Sequence, residues 1–104
     1  LYDSEVSSTS KHAIGVSYNS GLRLSDTKIQ SPSTTDIIIN GTSSVILSQS
    51  SSSLNEEVSI FLNNNSYLNV EGEVSLDSID CSSGSRVSIG SSATINNLDS
   101  DCTD

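Results

Sequence analysis

Few residues in this chain carry reactive chemistry. Its one histidine, His12, stands beside Lys11 with no carboxylate next to it, and no nucleophile motif accompanies any of the many serines. A Ser-His-Asp arrangement therefore has no positive support, and His12 is expected on the surface. The carboxylates gather in two groups, Glu71, Glu73, Asp77 and Asp80, and then Asp99, Asp101 and Asp104. Oxygen ligands at that density could hold Ca²⁺, but neither an EF-hand nor a glycine-aspartate nonapeptide spacing occurs. A solvated acidic face is the expectation, with no metal, no cofactor and no catalytic residue.

Two cysteines and two asparagines are candidates for covalent modification. Cys81 and Cys102 form an even pair in a chain rich in Ser, Thr and Asn, which favours a disulfide. The triplets Asn40-Gly41-Thr42 and Asn64-Asn65-Ser66 are N-glycosylation sequons, with Asn40 and Asn64 as acceptors. The first residue is Leu1 rather than methionine, as expected of a cleaved leader or an excised domain. Together these features point to an oxidising, extracellular location.

Charge narrows the partners. Thirteen carboxylates face four Lys and Arg, for a formal net charge of −9. Residues 1–30 balance three acids (Asp3, Glu5, Asp26) against Lys11, Arg23 and Lys28; the remainder sets ten acids against Arg86. So acidic a chain is not a general nucleic-acid binder and is repelled by anionic lipid. No apolar run approaches the ~20 residues of a membrane span, so no membrane insertion is expected.

The elements that position these residues are strands. Of 104 residues, 27 are serine, and the apolar set is mostly branched, with ten Ile and seven Val against nine Leu. Branched side chains suit a pleated surface, whereas Ser and Asn compete with helical hydrogen bonds. The strand signal repeats. Ile14-x-Val16 precedes Leu22-x-Leu24, Ile37-x-Ile39 precedes Val45-x-Leu47, Ile60-x-Leu62 precedes Leu68-x-Val70, and Val87-x-Ile89 precedes Ala93-x-Ile95. Six residues separate Val16 from Leu22, Ile39 from Val45, Leu62 from Leu68 and Ile89 from Ile95. A further apolar point follows each second doublet, at Ile29, Leu54, Ile79 and Leu98. The units start at Ile14, Ile37, Ile60 and Val87. The first two steps are equal and the last is longer by four, so the third unit must bulge, at 71–73 or 81–84.

Two all-β folds can host this pattern. In a parallel β-helix each unit is one coil, with equivalent positions about 4.8 Å apart. In an antiparallel β-sandwich each unit is a hairpin, and Asn40-Gly41 is a hairpin-turn signal. Constant spacing favours the β-helix, because only stacking in register demands it. The interval from Cys81 to Cys102 is close to one coil, which would set the two on neighbouring coils within disulfide reach.

The segments 14–24 and 36–47 resemble coils of right-handed parallel β-helix proteins. That superfamily includes pectate lyases, polygalacturonases, phage tailspikes, and microbial adhesins and cell-wall proteins. The resemblance covers roughly residues 12–98, about four coils, and implies architecture rather than activity. The hydrolases of the superfamily carry paired aspartates and a Gly-His-Gly stretch, which His12 lacks. The lyases use an Arg or Lys base above calcium-binding carboxylates, for which Arg86 near Asp77 and Asp80 is one thin candidate.

The expected organisation is a polar N-terminal segment, 1–11, a β-helix domain, 12–98, and an acidic tail, 99–104. Terminal coils expose strand edges, and neither end carries an obvious helical cap. The expected role is a non-enzymatic extracellular structural protein, a filament or surface-layer subunit or an adhesin module. It would polymerise as the end carrying Lys11, Arg23 and Lys28 meets Asp99, Asp101 and Asp104 of the next copy. The alternative is a β-helix that binds or processes carbohydrate.

Overall fold

The computed structural model describes residues 1–9, 11–32, 35–82 and 84–102. Eleven strands run in chain order: β1 (Glu5–Ser7), β2 (Ile14–Val16), β3 (Gly21–Ser25), β4 (Lys28–Gln30), β5 (Ile37–Ile39), β6 (Ser44–Gln49), β7 (Ser59–Leu62), β8 (Tyr67–Gly72), β9 (Ser75–Cys81), β10 (Arg86–Ile89) and β11 (Thr94–Leu98). A 3₁₀ turn, Ser100–Cys102, follows. Every strand pairing among the described residues is parallel. The first sheet has the order β11-β9-β7-β5-β2, the second β10-β8-β6-β3, and a short third sheet holds β1 and β4. The chain is a parallel β-solenoid of about four turns, not a sandwich.

Alternation explains the stack. In the first sheet Ile14, Ile37, Ile60, Ile79 and Leu98 are successive register partners, as are Val16, Ile39, Leu62 and Cys81. In the second sheet one column is Leu22, Val45, Leu68 and Val87, and the next is Leu24, Leu47, Val70 and Ile89. Each column turns inward because side chains alternate across a strand, and each rung covers the apolar face of the one below. In the middle coils the columns are sealed: Ile37, Ile39, Val45, Leu47, Leu62, Leu68 and Val70 have no exposed surface. Towards either end they open, with Leu22, Val87 and Ile95 only partly buried.

The register corrects the expected third unit. In the first sheet the coil step shortens by four after Ile60: Ile14, Ile37 and Ile60 are evenly spaced, and Ile79 and Leu98 follow at a smaller, again even, interval. The unit is four residues shorter, not four longer, and nothing bulges at 71–73; of the other expected site, residue 83 lies outside the described residues. Val87-x-Ile89 belongs to the second sheet, opposite Leu68-x-Val70. The missing first doublet is Ile79-x-Cys81, and the step from Cys81 to Val87 is again six residues. The shortening falls where the chain turns from the second sheet back to the first. Gly72 makes that turn at φ +80°, and a β-carbon there would collide with the Gln49 carbonyl.

The polar segment at the start contributes a strand of its own. β1 pairs with β4 (Glu5 with Lys28, Ser7 with Gln30), and Tyr2 bridges Ser25, so the longer coil step extends to the start of the chain. On its other side β4 meets a side chain instead of a strand. Segment 50–58 is turn-rich, Leu54 is only half-buried, and Asn55 is buried in its place. The Asn55 carboxamide mimics a neighbouring peptide: Ile29 N–H donates to its Oδ1 at 2.8 Å, and its Nδ2 donates to the Thr27 carbonyl at 2.8 Å. Replacing Asn55 with leucine should cost about 2 kcal/mol by stranding two buried backbone groups. Urea unfolding checks this, with the exposed neighbour Ser52→Ala as a silent control.

Candidate functional site

Three regions carry the polar and reactive side chains: the C-terminal end, a groove beside β4, and the corner between the first and second sheets. At the C-terminal end Cys81 and Cys102 form a disulfide with their Cα atoms 5.1 Å apart. Both are almost fully buried. The 3₁₀ turn that carries Cys102 is held by its own aspartate. Asp99 Oδ2 accepts the Cys81 N–H at 3.3 Å, Asp99 Oδ1 accepts the Asp101 N–H at 3.1 Å, and the Cys102 N–H donates to the Asp99 carbonyl at 2.9 Å. The turn therefore covers the end of β9 where β11 has run out. Among the described residues β10 and β11 each pair on one side only.

The groove lies where the third sheet stops. It is a polar depression of about 390 Å³ whose wall includes Lys28, Asp36, Asn55, Glu56 and Glu57. Asp36 is buried and fully engaged: Oδ2 accepts the Ser59 N–H at 2.9 Å and Oδ1 accepts the Ser31 hydroxyl at 2.7 Å. Asp26 ties two coils in the same manner, accepting the Ser50 N–H and hydroxyl. These acids are structural acceptors that close turns against the next coil. Among the described residues no group of three or more His, Cys, Asp or Glu side chains converges as a metal site.

The corner stacks turns. Tyr18 and Asn19, Gly41 and Thr42, and Asn64 and Asn65 all have positive φ, between 56° and 67°. Asn19 N–H donates to the Gly41 carbonyl and Thr42 N–H to the Asn64 carbonyl, each at 2.9 Å. Inside the corner Ser43, Ser66 and Ser85 are buried, and Ser43 and Ser85 accept the N–H of Ser20 and Ser66. Gly41 is required for space as well as for φ: a β-carbon would sit 2.9 Å from the Tyr18 nitrogen. On the outside Asn64 Nδ2 donates to Asn40 Oδ1 at 2.7 Å. The two sequon asparagines are thus neighbours on adjacent coils.

The remaining residues singled out in the sequence are dispersed. Arg23, on β3, points across the second sheet to Glu71, 3.9 Å away on coil three. Lys28 lines the groove, Lys11 is exposed before β2, and Asp101 is exposed in the 3₁₀ turn. Asp104 lies outside the described residues. Of the three cations, Lys11 precedes β2, Arg23 lies on β3 and Lys28 lies on β4. Arg86 lies over the Tyr67 ring, 5.9 Å from its centroid, on the outer face. His12 packs against Gly15. Asn55, Asp36 and Tyr18 do not stand out in the sequence; for Asn55 and Asp36 no motif could have flagged them, because their roles depend on a neighbouring coil. No protein-family model, curated protein or solved structure matches the chain at a significant level.

Proposed function

We propose that the chain is a non-enzymatic, extracellular structural module, a subunit of a filament or surface layer or part of an adhesin, that joins a second copy end to end. The observation that carries this reading is the pair of strand edges at the C-terminal end. β10 and β11 offer unpaired backbone groups beside the half-covered side chains of Val87, Ile89 and Ile95. Edges of this kind template another strand unless they are blocked. The disulfide is compatible with secretion, and no helix among the described residues is long and apolar enough to cross a membrane. In this reading the joint draws on backbone and apolar contact; Arg23 also lies 3.9 Å from Glu71, and Asp99 is tied into the 3₁₀ turn.

Sedimentation velocity across a range of concentrations tests it. Species heavier than the 10.9 kDa chain should grow with concentration. Ile89→Lys, which sets a charge on the open edge, should return the protein to monomer with an unchanged far-ultraviolet spectrum. A single 10.9 kDa species at every concentration defeats the reading.

A further inference from the structure

We propose that the sheet corner is an N-glycan seat: Asn40 carries the glycan, and the Tyr18 ring packs against its first sugar. Three observations on adjacent coils converge there. First, Tyr18 is strained without visible return. It holds φ 58° yet is 86% exposed, whereas the equivalent positions on the next two coils are Gly41 and Asn64, residues that tolerate this backbone. A bulky ring that accepts strain and buries almost nothing is poorly explained by packing within the chain.

Second, the ring leans towards the sequon. Its Cδ1 lies 3.6 Å from where a Gly41 β-carbon would be, so the glycine of Asn40-Gly41-Thr42 leaves the space that a side chain would fill. Third, the two sequons differ in reach. Asn40 Oδ1 accepts from Asn64, while Asn40 Nδ2, the atom that takes the sugar, has no partner among the described residues. Thr42 is exposed. In the other sequon Ser66 is 1% exposed, its hydroxyl donating to the Asn63 carbonyl. The folded corner therefore presents the hydroxyl of the Asn40 sequon and withholds that of the other, although Asn64 itself is exposed and Asn40 half-buried. A pyranose carries a face of C–H groups, which suits the electron-rich face of a phenol ring.

The inference rests on the extracellular reading, because only a chain that enters a secretory lumen meets the transferase. Secretion from a eukaryotic host forces that passage whatever the native compartment, so occupancy there is independent of the extracellular reading. Glycopeptide mass spectrometry should find one glycan, on Asn40. Thr42→Ala should remove it while sparing Asn40 and its bond to Asn64. Losing the glycan should lower the melting temperature on the order of 4 °C with Tyr18 present and by much less in Tyr18→Gly, which relieves the strain. No glycan, equal occupancy of Asn40 and Asn64, or a glycan effect indifferent to Tyr18 overturns the proposal. A glycan on Asn40 here, together with bare Asn40 in protein from its native source, would instead show that the native chain does not meet such a transferase.

Discussion

Alanine at both Cys81 and Cys102 is expected to lower stability by about 3 kcal/mol, the chain-entropy value for a loop of this size. For a domain of this length that is on the order of 15 °C in melting temperature, and a substantial share of a typical total. The effect should be local before it is global. The disulfide fastens the 3₁₀ turn over the end of β9, and the Asp99 carboxylate bonded to the Cys81 N–H completes the closure. Hydrogen exchange should show β11 losing protection first, with β5 to β8 protected until the whole chain unfolds. Calorimetry with and without reductant gives the same comparison on the unmodified chain. A shift of a degree or two would mean that Asp99 and the strand ladder hold the turn without the bond.

Leu47→Ala is expected to cost about 3 kcal/mol. Leu47 has no exposed surface and sits between Leu24 below and Val70 above, so neither neighbour can close the cavity without breaking its own column. The same deletion at Leu98, which is 37% exposed at the rim, should cost about 1 kcal/mol or less. Chemical denaturation of the two variants measures the difference. Equal losses would show that the interior is not a set of stacked columns but a core that relaxes freely.

Much of the architecture is legible because stacking repeats itself in the sequence. Ile14, Ile37 and Ile60 recur at one fixed interval since each must cover the one before it. The repeat is obscured at Cys81, a cysteine in a column otherwise aliphatic: without it Ile79 looks like an isolated apolar point, and one doublet shifts to the wrong sheet. Asn55 is illegible for a deeper reason. A carboxamide that stands in for a strand leaves no periodic trace, and it has meaning only once β4 is in place. The partners of two charges are also illegible in the sequence. Arg23 and Asp99 look available for another molecule, but each finds its partner two coils or one coil away within the same chain. Tyr18 looks scattered among tyrosines until the coils bring Gly41 beneath it.

The single drop of four residues in coil length leaves the two rims unlike. One rim is broad, with its third sheet of β1 and β4; the other is narrow, because the later coils pass from the second sheet straight to the first. Copies docked rim to rim would carry the ladder of the first sheet across the joint and leave the third face unmet. Such a rod would be notched once per subunit, always on the same side, with a built-in direction from broad to narrow.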